Sequence, residues 1–201
     1  VDLNRYIYTP YTAHDPPRFL FVGRLMREKG VEELFCAVRR LWTEGFHVHL
    51  QMLGFFEEQY RQEVGRLVSG GMTEFFGFQK EPLPFYQNCD CVVLPSYHEG
   101  MSNVLLEAAA VGRPIIASDI PGCREAVEHS KTGLLCRAKD ADSLYVAMRA
   151  FLALSAEQKA ALGQNGRRKM EREFDKASVV AETLRIVTAE KAAPQPRRIT
   201  A

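Results

Sequence analysis

Long hydrophobic runs are missing from this 201-residue chain: none approaches the roughly 18 to 20 residues that a membrane-crossing helix needs, and no charged amino-terminal stretch leads into an apolar core. An excess of one charge is missing too. With 26 Lys+Arg against 25 Asp+Glu, interspersed along the chain, there is no polybasic surface, which argues against nucleic acid or anionic membrane as the main partner. The five cysteines (Cys36, Cys89, Cys91, Cys123 and Cys136) form no Cys-x-x-Cys and have no paired His spacing. They read as reduced thiols, most of them buried, in a cytosolic-type composition. Gly-x-Gly-x-x-Gly and the Gly-Lys-Ser/Thr phosphate loop are both absent, so nicotinamide and P-loop chemistry lose support. No serine or cysteine sits in a nucleophile elbow, which leaves acyl transfer without a candidate. An initiating Met is also lacking. The stretch Val1 to Pro17 shows no period and is expected to be a remnant of a linker from something longer.

What is present is alternation. Short apolar runs at Phe19 to Gly23, Val48 to Leu53, Glu74 to Phe76, Cys91 to Pro95, Pro114 to Ala117 and Gly133 to Cys136 are separated by amphipathic segments of helical length. Those segments are Gly30 to Thr43, Glu57 to Ser69, Leu83 to Asn88, Asn103 to Val111 and Cys123 to Glu128. Most runs are apolar at consecutive positions, as strands covered on both faces are. The pattern predicts an α/β fold: a doubly wound, mostly parallel six-stranded sheet over 18–175 with helices on both faces. A helical carboxyl-terminal third follows, with Ala141 to Leu154, Ala156 to Phe174 broken at Gly163 and Gly166, and a helix over 176–190. Residues 191–201 lack the apolar surface to pack and read as a disordered tail.

In open α/β sheets ligands sit outside the carboxyl ends of the strands, so the loops there are where chemistry is sought. In Val22-Gly23-Arg24-Leu25-Met26-Arg27-Glu28-Lys29-Gly30, Gly23 permits a sharp turn, while Arg24 and Lys29 place two cations near a helix start, which suits a phosphate or diphosphate. Surface pairing of these cations with Glu28 or Glu32 is the plain alternative. The most informative stretch is Pro95-Ser96-Tyr97-His98-Glu99-Gly100-Met101-Ser102-Asn103-Val104-Leu105-Leu106-Glu107. Ser102 is a good cap for a helix that is apolar on every side except at Glu107, so that helix is expected to be buried and its carboxylate needs hydrogen-bond donors. Helical side chains lean toward the amino terminus, which aims Glu107 back toward Glu99. Two carboxylates converging there suit donor-rich groups such as sugar hydroxyls, whereas a cap on a neighbouring loop is the alternative.

The other features carry less. Ser118 to Glu125 is a turn shaped by Pro121 and Gly122, and Gly77-Phe78-Gln79-Lys80 could offer an aromatic face to a ring. Asp140-Ala141-Asp142 opens a helix, where capping and the dipole explain the acids. Trp42, Phe55 and Phe56 read as packing residues. Of the histidines only His98, beside Glu99, draws attention.

From about Phe19 to Val187 these residues resemble the nucleotide-sugar-binding, Rossmann-like half of GT-B glycosyltransferases of the retaining family 4, also called group 1. Glu99 to Glu107 matches the family's two glutamates separated by seven residues. Val22-Gly23-Arg24 with Lys29-Gly30, Asp90 to Ser96, Gly112 to Ala117, Ile120-Pro121-Gly122 and Gly133-Leu134-Leu135 fall in family order.

The resemblance implies that Arg24 and Lys29 neutralise the diphosphate of a UDP- or GDP-sugar donor without a metal or other cofactor. It implies further that Glu107 accepts from the ribose hydroxyls, Glu99 holds a hydroxyl of the transferred sugar, and the backbone of Gly100, Met101, Ser102, Asn103 and Val104 meets sugar and phosphates, with Gly23 beside them. The base would lie near Phe78 and Gln79. By the same resemblance Val1 to Tyr6 is an interdomain linker, and the acceptor is held by a missing amino-terminal half. The helix over 176–190 crosses back to that half, and the chain alone is inactive. A lipid-linked surface saccharide as acceptor, bacterial origin and a cytoplasmic location at the inner membrane face belong to the same expectation. Alternatives are a nucleotide-binding module without catalysis and a GT-B nucleotide-sugar epimerase relative.

Overall fold

The structure, a computed structural model, describes residues 1–192. The strands β1 (Arg18–Val22), β2 (His49–Leu53), β3 (Thr73–Phe75), β4 (Cys91–Leu94), β5 (Ile115–Ser118) and β6 (Gly133–Cys136) form one six-stranded sheet. Every pairing is parallel, and the order is β3-β2-β1-β4-β5-β6. The reason is visible in β4: Cys91, Val92, Val93 and Leu94 are all buried, so both of its faces require helical cover.

That cover comes from α1 (Val31–Thr43), α2 (Arg61–Ser69), α3 (Leu83–Gln87), α4 (Asn103–Val111), α5 (Pro121–Arg124), α6 (Ala141–Ala153), α7 (Ala156–Lys169) and α8 (Lys176–Ala192). From β1 the chain winds outward through β2 to β3, and from β4 it winds the opposite way through β5 to β6. Right-handed crossovers then put α1 and α4 on opposite faces. α6 packs on α1, and α7 packs on α4. The direction of winding reverses between β1 and β4, and at such a switch point the loops diverge and leave a crevice.

Three expectations need correction. Gly163 and Gly166 do not break α7, which runs unbroken through both. They are close-approach positions instead: a Cβ at Gly163 would stand 2.0 Å from the Gly112 carbonyl oxygen, and Gly166 lies over Ala109. The irregularity falls later, in a π-helical turn at Met170–Phe174. The helix expected at Cys123 to Glu128 begins earlier, at Pro121, whose fixed φ and missing N–H suit a first helical position. Finally, α8 continues to Ala192, two residues into the expected tail, and the rest of that tail lies outside the described residues.

Residues 1–17 form no helix or strand but lie against the domain. The Val1 ammonium donates to the Phe174 carbonyl at 2.6 Å, and the Val1 carbonyl accepts from Lys176 N–H. Buried Asp90 accepts from the Tyr11 hydroxyl, the His14 N–H and the Arg18 N–H. Arg113, the largest fully buried side chain, donates to the Thr9 carbonyl.

Candidate functional site

The loops after β1 and β4 meet at the switch point because glycine lets their backbones touch. Gly30 has φ +68°, and a Cβ there would lie 2.0 Å from the Pro95 carbonyl oxygen, so no other residue fits without moving the β4 loop. Tyr97 N–H donates to the Glu28 carbonyl across the same seam. This docking brings Lys29 to Glu99: Nζ donates to Oε1 at 2.6 Å, a charge-assisted bond between side chains that are largely shielded from water. Lys29 therefore pairs with Glu99 and with neither Glu28 nor Glu32, which the surface-charge reading required. The Ser96 hydroxyl donates to the same Glu99 oxygen at 2.7 Å and fixes the carboxylate from below.

The loop after β5, read from sequence as shape alone, supports this pair. A Cβ at Gly122 would lie 1.9 Å from the Gly100 carbonyl oxygen and 2.4 Å from that of Glu99. The Glu99-Gly100 backbone therefore rests directly on α5. Cys123, one residue along, is buried beneath it. Burial first, then the Glu99 charge, push its thiol up to about 12, with Lys29 opposing. A thiol held neutral in this way serves as packing.

α4 then begins. Ser102 occupies the cap position with extended backbone but, contrary to expectation, its side chain makes no capping hydrogen bond. The first-turn N–H groups of α4 consequently point at the loop without a side-chain acceptor, an arrangement that favours an anion. Gly100, Met101 and Asn103 are exposed, Val104 is half-buried and Ser102 is buried.

Glu107 lies one turn into α4 and is half-buried rather than buried. Its partner is a phenol: the Tyr86 hydroxyl on α3 donates to Glu107 Oε2 at 3.0 Å. It caps no loop, and the charge has a donor that the sequence did not point to.

Arg24 stands exposed on the β1 loop and, among the described residues, makes no ion pair or hydrogen bond. Its loop is held to the next one by the Gly23 N–H donating to the Leu53 carbonyl and by Gly54, where a Cβ would lie 2.0 Å from the Gly23 carbonyl oxygen. At the rim, Phe55 and Phe78 stack with ring centroids 5.2 Å apart and planes 5° apart, both more than half exposed. Phe55 is thus no packing residue. Trp42 and Phe56 do pack against the core, and the Trp42 indole donates to the Val48 carbonyl. The Gln79 amide donates within its own loop to the Phe76 carbonyl.

His98 is exposed and lines a cavity of about 490 Å³ with Arg27, Glu33, Tyr97 and Lys139, a lining that includes neither Lys29 nor Glu99. Asp140 caps α6 by accepting from Ser143 N–H, as its position predicted. The cysteines are free, Cys36 exposed and the other four buried.

The structure therefore unites Lys29, Glu99 and the start of α4, and sets Arg24 and Glu107 on flanking elements, Glu107 with Tyr86 as its own partner. Ser96, Tyr86 and Gly122 were not singled out from sequence for these roles. Ser96 lies inside the Pro95–Glu107 stretch, whereas nothing near Tyr86 announces its bond to a helix 21 residues on.

Known proteins share this fold. A family profile described as "Glycosyl transferases group 1" matches residues 10–169. Glycogen synthase of Mycobacterium tuberculosis is 32% identical over 196 residues, which cover 90% of this chain and 45% of that protein. Sucrose-phosphate synthase from Thermosynechococcus elongatus superposes with a TM-score of 0.80 at 27% identity, over 96% of this chain and 52% of that one. Anabaena HepE, solved in complex with UDP, gives a TM-score of 0.80 at 20% identity over 94% of this chain and 56% of that one, a likeness of fold. The chain spans about half the length of these relatives.

Proposed function

The chain belongs to the group 1 glycosyltransferases, with the fold of one half of a GT-B enzyme, and from that premise we propose that it is the donor-binding half of a retaining sugar transferase whose acceptor is held by a second half. The observation that carries this reading is the Lys29–Glu99 pair at the β1/β4 switch point, beside the uncapped start of α4.

Lys29 and exposed Arg24 take the diphosphate of a nucleoside-diphosphate sugar and stabilise it as charge develops on the leaving group. The free N–H groups of Asn103 and Val104 add to the same field. Glu99, released from Lys29 as phosphate takes its place, accepts from a hydroxyl of the transferred sugar. Glu107 accepts from the ribose. The base lies toward Phe78 and Gln79, where the stacked Phe55–Phe78 pair offers an aromatic face. HepE was solved with UDP, which supports a uridine nucleotide as the first donor to try, with GDP beside it.

A second half is supported by α8, along which Val179, Val180, Leu184, Ile186 and Val187 stand exposed. The acceptor approaches the sugar from the face that leaving diphosphate vacates, so neither glutamate needs to become covalently bound. The reading is tested by assaying sugar transfer from UDP- and GDP-sugars by this chain and by a longer protein that contains it. Transfer by the longer protein alone is expected. Turnover by this chain alone would overturn the division of labour, and no turnover by either would overturn the transferase reading.

A further inference from the structure

Glu107 is served by one buried phenol, and a second phenol from another part of the chain packs against the first. The Tyr86 hydroxyl donates to Oε2 at 3.0 Å from within the core, where Tyr86 is fully buried. Tyr6, from the amino-terminal segment, packs edge-on to the Tyr86 ring, with centroids 6.3 Å apart and planes 70° apart, and is itself buried. Burial first, then the nearby Glu107 carboxylate, push the Tyr6 phenol up to about 12. Tyr6 is held in turn: the Arg167 guanidinium donates to the Tyr6 and Ala110 carbonyls, both at 2.9 Å, clamping the segment to the end of α4.

We infer that Tyr86 is a positioning residue for Glu107, a phenol itself wedged in place by the Tyr6 ring, which fixes the carboxylate plane so that its remaining lone pairs face a vicinal diol. The inference rests on the reading of Glu107 as the ribose carboxylate and adds what makes it selective. An ionised carboxylate has about four lone-pair sites, and the Tyr86 phenol occupies one of them. Those that remain can accept from the adjacent 2′- and 3′-hydroxyls of a ribonucleotide. A freely rotating glutamate would be solvated and would gain little from those hydroxyls. One fixed by a buried donor is preorganised for them. Because Tyr6 lies on the segment that precedes the domain, its position also links ribose recognition to that segment.

The test is calorimetric titration of the chain with UDP or GDP, whichever binds more tightly, and with the same nucleotide lacking both the 2′- and 3′-hydroxyls, for the wild type, Tyr86→Phe, Tyr6→Phe and Glu107→Gln. The wild type is expected to prefer the ribonucleotide by about tenfold or more, as the loss of hydrogen bonds to a charged group implies. Tyr86→Phe keeps the ring and its packing and is expected to cut that preference by about threefold or more while leaving the dideoxy affinity unchanged, whereas Tyr6→Phe, which keeps the ring packed on Tyr86, is expected to leave the preference intact. A purely structural role would weaken both nucleotides alike and leave the ratio intact. A wild-type preference that is lost in Glu107→Gln but kept in Tyr86→Phe overturns the positioning role and leaves Glu107 in place. No preference in the wild type overturns the ribose assignment of Glu107 itself, and the positioning role with it.

Discussion

Lys29 Nζ lies 2.6 Å from Glu99 Oε1, a bond that joins the loops after the first and fourth strands of the sheet. Each residue is the counter-ion of the other, so substituting one changes what the other can bind. Lys29→Ala removes a phosphate-binding cation and is expected to weaken nucleoside-diphosphate binding by about tenfold, the scale of one charge-assisted contact. Glu99→Gln frees Lys29 from a competitor and is expected to tighten diphosphate binding while abolishing any gain from an attached sugar. Titration of both variants with a nucleoside diphosphate and its sugar derivative checks the opposite signs; equal weakening by both would contradict the pairing.

Glycine to alanine in a helix interior ordinarily stabilises by about 1 kcal/mol. Gly65 in α2 has open space at its Cβ position, and Gly65→Ala is expected to follow that rule. Gly163→Ala is expected to do the reverse, costing about 1–3 kcal/mol as α7 is pushed off the Gly112 carbonyl. Urea unfolding of the two variants measures the difference in sign.

Much of the fold was legible in the sequence, because a doubly covered parallel strand shows itself as a short unbroken apolar run, as Cys91–Leu94 does. Lys29, Glu99 and Glu107 were legible for a related reason: charge in loops at strand ends, or alone in an apolar helix, needs an explanation. What was not legible depends on long-range approach. Gly163 looks like a helix breaker until the Gly112 backbone is seen against it, and Phe55 looks like core until its ring is found stacked on Phe78 in solvent. Tyr86 and Tyr6 are aromatic residues among many, and only the fold brings Tyr86 to Glu107 and Tyr6 against Tyr86.

Thiol reactivity should divide the five cysteines sharply. Cys36 is exposed, while burial pushes Cys89, Cys123 and Cys136 up to about 12 and holds Cys91 well above its usual range. Brief maleimide labelling of the native chain followed by intact-mass measurement is expected to give one adduct, at Cys36. A second adduct under native conditions would contradict the burial of the others.

Alkali should expose the tyrosines' part in stability. Burial first, and then the nearby Glu107 carboxylate for Tyr6 and the hydrogen bond to Glu33 for Tyr97, raise these phenols from 10.0 to about 12. A phenol whose pKa is higher folded than unfolded binds its proton more tightly in the folded state. Its contribution is complete below pH 10 and is lost as the pH climbs toward 12. Circular dichroism and phenolate absorbance followed together are expected to show unfolding and ionisation rising in concert above pH 10. Full ionisation near pH 10 with structure intact would contradict the burial of Tyr6 and Tyr86 and the half-burial of Tyr97.

The most direct test of the central claim is a residue-resolved NMR titration of the chain with UDP and with GDP. Saturable shifts are expected at Gly23, Arg24, Lys29, Glu99 to Val104 and Glu107, with none around Phe46 and Arg149 at the opposite end of the strands, and Arg24→Ala is expected to weaken binding. No saturable shift with either nucleotide, or shifts centred away from the β1/β4 switch point, would contradict it.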